Sequence, residues 1–221
     1  MGANTTPDGD TKKLGYDSKK HHRKSIRLKG YDYSKAGAYF ITICTQNREC
    51  ILGKIIDQSL VLNDAGMMVE KWWMELNKKY PEIMTDEFVI MPNHFHGIIQ
   101  IMNPTDSTCA HPNNHIVGAD LRVCPNDQGG HTGPPLHGVI QWFKTMTTNE
   151  YIRNVKESGW KPFPGKLWQR NFYEHIIRND RRLNTIRKYI KNNPFHWEFD
   201  IENPNEKPIE EKKAFWKTFL S

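Results

Sequence analysis

The sequence predicts an α+β sandwich with a mostly antiparallel central sheet and helices packed on it. Two observations lead to this prediction. Segments with strand character are short and few, and segments with helical periodicity lie between them along the chain. The order strand, helix, strand pair, helix, strand, helix favours the α+β class. With 221 residues, 37% of them hydrophobic, the chain can form one domain with a sizeable core.

The first elements follow from residue type and spacing. Residues 38–45 are rich in β-branched and aromatic side chains and predict a core strand. A short strand pair is expected within residues 50–62. Residues 63–79 predict a helix, because apolar side chains recur there at helical spacing, namely Met67, Val69, Trp72, Trp73 and Leu76.

The middle of the chain predicts a hairpin followed by a long connection. Strands are expected at Glu87–Met91 and His94–Met102, joined by the two residues Pro92-Asn93. Residues 103–135 contain five of the 13 prolines and show no periodicity. Long connections of this kind are usually functional or disordered, so this segment is predicted to be a mobile insertion loop.

Four further elements are expected towards the C-terminus. Residues 136–155 have helical periodicity, and residues 166–178 predict a strand. Asp180 is a candidate N-cap for a last main helix, which Pro194 would end. A short helix is possible at residues 209–219.

The predicted organisation is one main domain with appendages. A flexible basic arm is expected at residues 1–29, the main domain at residues 30–200 with the insertion at 103–135, and a C-terminal tail at residues 201–221. Arg23 and Lys24 in the arm belong to a basic cluster that is a candidate for phosphate contact.

The charge balance is basic. There are 31 Lys and Arg residues against 25 Asp and Glu, which gives a formal net charge of +6 and an isoelectric point near 9.0. This balance is compatible with a nucleic-acid partner and argues against a function that needs a strongly acidic surface.

Cysteine usage and hydropathy bear on location. The four cysteines form no CxxC pair, and residues 1–29 contain no apolar segment typical of a secretory signal. No apolar run approaches the roughly 20 residues that a membrane-spanning helix requires. These patterns predict a cytoplasmic protein with reduced thiols and no membrane partner.

The triplet His94-Phe95-His96 is the most informative feature of the sequence. Side chains two positions apart on a strand point to the same face, so the two imidazoles are expected to lie side by side. Two neighbouring imidazoles make half of a metal site, although many strands carry such a pair without a metal. His94 and His96 are therefore candidate metal ligands.

A second group of candidate residues lies on the last main helix. Tyr189 and Asn193 are four residues apart and share one helix face, beside an apolar stripe formed by Leu183, Ile186 and Ile190. Tyr189 could be a tyrosine at the rim of the core and Asn193 a helix C-cap. Alternatively, they could be a nucleophile and a third metal ligand, since a phenol with a pKa of about 10 needs a nearby cation to react.

Basic and aromatic residues crowd the same part of the sequence. This composition is typical of a surface that follows a phosphate backbone and stacks bases, but also of a solvated helix face with buried aromatic residues. The candidate DNA-binding residues are Arg170, Arg178, Arg181, Arg182, Arg187, Lys188, Lys191 and Trp168, together with Arg23 and Lys24 in the arm.

Three ordered motifs resemble those of a known family. They are MPNHFHGII at 91–99, WQRNFYEHIIRN at 168–179 and YIKNNP at 189–194. Over roughly residues 25–200 the chain resembles the REP-associated tyrosine transposases, a branch of the HUH (histidine–hydrophobe–histidine) single-strand DNA transposases. The resemblance implies a ferredoxin-like α+β fold with the histidine pair on a central strand.

The resemblance also implies site residues. By position, His94 and His96 match the metal ligands, Asn193 matches the residue that completes the metal shell, and Tyr189 matches the catalytic tyrosine. Tyr173 in the second motif is the competing nucleophile.

The implied chemistry is DNA transposition by cleavage and strand transfer. A divalent cation, Mg²⁺ or Mn²⁺, would activate a phosphodiester of single-stranded DNA beside hairpin repeats, and Tyr189 would form a 5′-phosphotyrosine. Imidazole and amide ligands favour Mn²⁺ over Mg²⁺. The branch to which the resemblance points favours a monomer over a dimer.

The sequence leaves three alternatives open. The first is a domesticated protein that binds single-stranded DNA hairpins without cleaving them. The second is a structural zinc protein, which would need a fourth His or Cys at ligand spacing that the sequence does not offer. The third is a replication or mobilisation initiator, although such proteins often use paired tyrosines in much larger chains.

Overall fold

The computed structural model describes residues 31–102, 135–204 and 207–219. The predicted N-terminal arm at residues 1–29, with Arg23 and Lys24, lies outside the described residues. Residues 103–134 of the predicted insertion also lie outside them.

The described residues form six strands and four α-helices. In chain order they are β1 (Gly37–Cys44), β2 (Gly53–Ile56), β3 (Ser59–Leu62), α1 (Asp64–Lys79), β4 (Ile83–Met91), β5 (His94–Ile101), α2 (Leu136–Glu157), β6 (Tyr173–Ile177), α3 (Asp180–Asn192) and α4 (Ile209–Phe219). Short 3₁₀ segments span Gln46–Arg48 and Pro194–Phe199. The predicted α+β class is confirmed.

Several predicted boundaries shift. Strand β4 begins at Ile83 rather than Glu87, and its pairing with β5 is interrupted by a bulge between Thr85 and Phe88. Helix α3 is capped by Asn179, not by Asp180, because the extended Asn179 accepts a hydrogen bond from the backbone N–H of Arg182.

The main sheet has the strand order β4-β5-β1-β6, and all its pairs are antiparallel. Strands β5 and β1 therefore lie in the interior of the sheet. In their register, Thr42 is opposite His96 and Cys44 is opposite His94. The histidine pair thus lies on a central strand, and β2 and β3 form a separate two-stranded sheet.

The two faces of the sheet pack against different helices. On one face, Phe95 packs against Trp73 of α1, with ring centroids 4.5 Å apart, and against Phe143 of α2 at 5.5 Å. On the other face, a core cluster joins the sheet to α3, and its members are Ala38, Val89, Met91, Ile98, Ile177, Leu183, Ile186 and Ile190. Because side chains alternate along β5, His94 and His96 share the face of Ile98 and point towards α3.

Gly97 provides the space for one of these contacts. A Cβ atom at Gly97 would lie 2.7 Å from Cζ2 of Trp73 and 2.8 Å from the ring of Phe95. Gly97→Ala is expected to lower the free energy of unfolding by about 1–3 kcal/mol, the usual cost of overpacking a core. Urea denaturation measures this change. The matched control is Gly138→Ala in α2, where a Cβ meets nothing within 4 Å; equal stability of the two variants would contradict the expectation.

The described part of the predicted C-terminal tail contains helix α4, close to the short helix expected at residues 209–219. Trp216 of α4 is buried, and its Nε1 donates a hydrogen bond to the carbonyl of Phe199 at 2.9 Å. Its ring lies 4.5 Å from that of Tyr189 on α3. Helix α4 therefore packs on the domain, because a large aromatic side chain gains more from burial than from solvent exposure.

In the described part of the chain, the helices are all too short or too polar to cross a membrane.

Candidate metal and nucleophile site

The two predicted histidines lie side by side in the protein interior. His94 and His96 are both buried, and their Nε2 atoms are 3.0 Å apart. Each Nδ1 has a separate partner at 2.8 Å, which is Oδ1 of Asn93 for His94 and Oγ1 of Thr42 for His96. Both rings are therefore held from behind with their Nε2 atoms converging.

The partners of Asn93 determine which nitrogen of His94 carries the proton. Nδ2 of Asn93 donates to the carbonyls of Glu202 at 2.8 Å and Arg48 at 3.2 Å, so this end of the amide must be the donor. Its Oδ1 must then accept a hydrogen bond from Nδ1 of His94. Nε2 of His94 consequently presents a lone pair to the space between the rings.

Both imidazoles are neutral. Burial, together with the nearby charge of Arg48, lowers the pKa of His94 to about 3. Burial and the neighbouring His94 lower the pKa of His96 to about 3, although Asp200 opposes this shift. Neutral imidazole is the form that binds a metal ion.

Asp200 completes this group, and the sequence interpretation missed it. Among the described residues, ligand atoms of His94, His96 and Asp200 all lie within 4.8 Å of one another. Oδ1 of Asp200 accepts a hydrogen bond from the backbone N–H of Glu202 at 2.6 Å. Oδ2 is buried without a hydrogen-bond partner and lies 3.6 Å from Nε2 of His94. A buried carboxylate charge is costly without a partner, and a bound cation would stabilise it.

Asn193, the predicted third ligand, is buried at the end of α3. Both atoms of its side-chain amide are buried and make no hydrogen bond of good geometry, although a weaker contact with the hydroxyl of Tyr189 opposes the rise in the pKa of that group. Buried amides are normally paired, so this one is available to a group that would occupy the site. Its role as a ligand stays a prediction, alongside the carboxylate of Asp200.

These residues fit a divalent cation. The Nε2 atoms of His94 and His96 converge at 3.0 Å, and the unpaired Oδ2 of Asp200 lies 3.6 Å from Nε2 of His94. Two neutral imidazoles, one carboxylate and one amide form a mixed nitrogen and oxygen set, which suits Mn²⁺ better than the all-oxygen preference of Mg²⁺.

Tyr189 reaches the same site from α3. Its hydroxyl lies 3.2 Å from Nε2 of His96, and the half-buried ring contacts Phe40 and Trp216. Burial, reinforced by the negative charge of Asp200, raises the pKa of Tyr189 well above its usual value. The phenol is therefore neutral at pH 7, and forming a phenolate there needs positive charge in the site.

The competing tyrosine lies further away. Tyr173 on β6 is opposite Thr42, which in turn is opposite His96, so Tyr173 and His96 share a face but are two strands apart. This corresponds to about 10 Å at the usual strand spacing. Tyr173 is also 51% exposed at the sheet edge. The geometry thus favours Tyr189.

Three of the predicted DNA-binding residues are engaged within the protein. Trp168 is buried and its Nε1 donates to Oγ1 of Thr147 at 2.8 Å, so it belongs to the core and cannot stack a base. Arg187 is paired with Asp86, and Lys191 with Glu87 at 2.8 Å. The remaining described candidates are exposed and stay predictions: Arg170, Arg178, Arg181, Arg182 and Lys188.

The pair of Arg187 and Asp86 fastens α3 to the bulge of β4. Nε of Arg187 donates to Oδ1 of Asp86 at 2.9 Å, and Gln100 donates to Oδ2 at 2.7 Å. Burial alone would raise the pKa of Asp86, but the hydrogen bonds and charge of Arg187 outweigh it and hold the pKa below its usual value. This contact helps to position the helix that carries Tyr189.

Arg187→Ala is expected to destabilise the fold by about 1–3 kcal/mol at pH 7, because it leaves a largely buried carboxylate without its main partner. Since the pKa of Asp86 is lowered in the folded protein, the contribution of the pair is present above about pH 4 and is lost as the pH falls below it. Urea denaturation from pH 7 to pH 3 should show the two proteins converging in acid. Lys191→Ala, which removes an exposed pair on the same helix, should cost at most about 1 kcal/mol; a pH-independent loss in Arg187→Ala would contradict this account.

The fold and site together define a class of protein. An antiparallel α+β domain presents two buried histidines from a central strand to a tyrosine on a facing helix, with a buried aspartate beside them. Comparisons with known proteins place the chain more closely, although no protein-family model matches it.

The chain belongs to the same family as a Haemophilus influenzae protein that is described as uncharacterized. The two are 41% identical over 185 residues, which is 84% of this chain and 95% of the relative. A second relative from Haemophilus influenzae, described as a "putative REP-associated tyrosine transposase", is 25% identical over 166 residues, or 74% of this chain and 73% of the relative. The chain is thus similar to the REP-associated tyrosine transposases, as its three motifs predict.

A solved structure of a REP-associated tyrosine transposase, described as bound to a REP hairpin, also matches. The TM-score is 0.45 and the sequence identity 16%, over 78% of this chain and 73% of that chain.

Proposed function

We propose that this protein is a metal-dependent tyrosine transposase that cleaves and rejoins single-stranded DNA through a 5′-phosphotyrosine. One observation carries the proposal above the others. The hydroxyl of Tyr189 lies 3.2 Å from Nε2 of His96, within a buried group of two neutral imidazoles and an unpaired carboxylate oxygen. The similarity to a described REP-associated tyrosine transposase supports a transposase-like function.

The proposed reaction is an in-line displacement at phosphorus. Oη of Tyr189 loses its proton to solvent and attacks the scissile phosphodiester. A bond forms between Oη and phosphorus, and the bond between phosphorus and the 3′ oxygen of the preceding nucleotide breaks. That 3′ oxygen takes up a proton and leaves as a hydroxyl, while the downstream 5′ phosphate stays on the tyrosine. A 3′ hydroxyl from another strand end can reverse these steps and rejoin the DNA without ATP.

The residues that would hold the divalent cation are His94, His96 and Asp200, with Asn193 as a further candidate. A bound Mn²⁺ or Mg²⁺ would supply positive charge that stabilises the phenolate and polarises the phosphodiester. The protein's own contribution is positional. Asn93 and Thr42 fix the two imidazoles from behind, and Phe40 and Trp216 pack against the ring of Tyr189.

The proposed substrate is single-stranded DNA next to a hairpin repeat. In a duplex, bringing a phosphodiester into a recessed site requires unstacking of the flanking bases, which costs a few kcal/mol, by analogy with base-flipping enzymes. The proposed contacts for the phosphate backbone are three exposed arginines, Arg178 just after β6 and Arg181 and Arg182 in the first turn of α3.

The test is a cleavage assay with the purified protein. Single-stranded oligonucleotides that carry the hairpin repeats flanking its gene, labelled at the 5′ or 3′ end, are incubated with Mn²⁺, with Mg²⁺ or with EDTA and separated on a denaturing gel. A covalent protein adduct on the 3′-labelled fragment, formed with metal and absent with EDTA or with the matched duplex, is the expected result. Tight hairpin binding without an adduct in any metal would contradict the proposal and favour a binding protein without cleavage activity.

A further inference from the structure

Asn93 lies behind His94, on the side of the ring that faces away from the candidate metal site. It is the last residue of the turn between β4 and β5, and its side chain is fully buried. A turn residue with a polar side chain usually faces solvent. Burial of this amide therefore indicates that its hydrogen bonds stabilise the arrangement of the buried groups around it.

The amide of Asn93 is saturated by three partners from three segments. Oδ1 faces Nδ1 of His94 at 2.8 Å. Nδ2 donates to the carbonyl of Glu202, two residues beyond Asp200, and to the carbonyl of Arg48 in the 3₁₀ segment after β1. The two carbonyls cannot donate, so the amide cannot rotate by 180° without losing both bonds.

These hydrogen bonds determine which ring nitrogen of His94 carries the proton. Free histidine can place its proton on either ring nitrogen, and only a ring with the proton on Nδ1 offers Nε2 to a metal ion in this geometry. A second partner that fixes the tautomer and orientation of a ligand histidine typically changes metal affinity by 10–100-fold.

We propose that Asn93 is a positioning residue for metal binding: its amide, locked by the carbonyls of Glu202 and Arg48, holds His94 as the Nδ1–H tautomer with Nε2 directed at the cation site. The inference rests on the metal site of the proposed function. It concerns binding rather than cleavage, and it can be tested without DNA.

The first test is Mn²⁺ titration into the metal-free full-length protein by isothermal calorimetry. Asn93→Ala is expected to bind Mn²⁺ about 10–100-fold more weakly than the wild type. Asn93→Asp keeps an acceptor oxygen for His94 and is expected to recover most of that affinity, although it should be less stable because its second oxygen faces two carbonyls.

The matched control is Thr45→Val. Oγ1 of Thr45 donates to the backbone carbonyls of Asn93 and Glu49, both at 2.9 Å, so the substitution loosens the same turn without touching His94. Its Mn²⁺ affinity should equal that of the wild type. Wild-type affinity in Asn93→Ala, an equal loss in Thr45→Val, or no recovery in Asn93→Asp would overturn the proposal.

A second measurement does not depend on any variant folding. The ¹⁵N spectrum of the imidazole nitrogens in the metal-free wild type should show His94 with its proton on Nδ1. A proton on Nε2 would overturn the proposal. Absence of Mn²⁺ binding in a wild type with the Nδ1–H tautomer would instead contradict the metal site of the proposed function while leaving the positioning by Asn93 in place.

Discussion

Tyr189→Phe is expected to abolish the covalent protein–DNA adduct while leaving the fold and Mn²⁺ binding intact. The substitution removes only the hydroxyl that lies 3.2 Å from Nε2 of His96. The remaining ring keeps its contacts with Phe40 and Trp216. Loss of a nucleophile in covalent catalysis lowers the rate by several powers of ten, on the order of 10⁴-fold or more.

The control for this variant is Tyr173→Phe, which removes a hydroxyl from the same face of the sheet two strands away. It should form the adduct at a rate close to that of the wild type. Adduct formation is followed on denaturing gels with 3′-labelled single-stranded DNA, and hairpin binding by fluorescence anisotropy. An adduct that persists in Tyr189→Phe and disappears in Tyr173→Phe would move the nucleophile to β6.

Asp200→Asn is expected to remove most of the Mn²⁺ affinity and to leave the metal-free protein as stable as the wild type or more stable. Oδ2 of Asp200 is a buried carboxylate oxygen without a hydrogen-bond partner, and its charge is costly without a cation. Because Mn²⁺ binds only the folded protein, it should raise the free energy of unfolding of the wild type by about 2.7 kcal/mol at a concentration of 100 times Kd. Asp200→Asn should lose this gain at the same concentration, since neutralisation removes the ligand charge.

Urea denaturation with and without Mn²⁺ measures both halves of this prediction. Asn193→Ala is the informative partner, because the amide of Asn193 is also buried and makes no hydrogen bond of good geometry. If the carboxylate is the third ligand, Asn193→Ala should lose less Mn²⁺ stabilisation than Asp200→Asn. If Asp200→Asn keeps the full stabilisation by Mn²⁺ and Asn193→Ala loses it, the third metal ligand is Asn193, as the sequence resemblance implies, and not Asp200.

The sequence could predict the histidine pair and the position of Tyr189 because both depend on local periodicity. Side chains two residues apart on a strand point to the same face of the sheet. The apolar stripe of α3 determines which side of that helix docks on the sheet. Periodicity alone left Tyr189 as either a tyrosine at the rim of the core or a nucleophile, and the family resemblance favoured the nucleophile. The proximity of Tyr189 to His96 depends on how α3 packs on the sheet.

The role of Asp200 could not be predicted in the same way. It follows a 3₁₀ segment, Pro194–Phe199, where no simple period relates the side chains to the sheet. Its proximity to His94 depends on how that segment folds back over the domain, which is a tertiary property. The one available signal was an acidic residue in an aromatic stretch, next to Phe199.

The basic residues show the opposite limit of sequence interpretation. Arg187 and Lys191 lie among exposed arginines in the sequence, but each has an acidic partner on β4. Trp168 is an aromatic residue of the kind that stacks on bases, but it is buried beside Thr147. Composition identifies charge and aromatic content, whereas the availability of a side chain for DNA depends on contacts that form only in the fold.

The most direct measurement of the central claim is mass spectrometry of the adduct. The protein is trapped on single-stranded hairpin DNA in Mn²⁺, digested with nuclease and protease, and the modified peptide is sequenced. We expect a nucleotide 5′-phosphate attached to Tyr189 in the peptide that contains YIKNNP. A phosphate on Tyr173 or on any other residue, or a nucleotide joined through its 3′ phosphate, would contradict it.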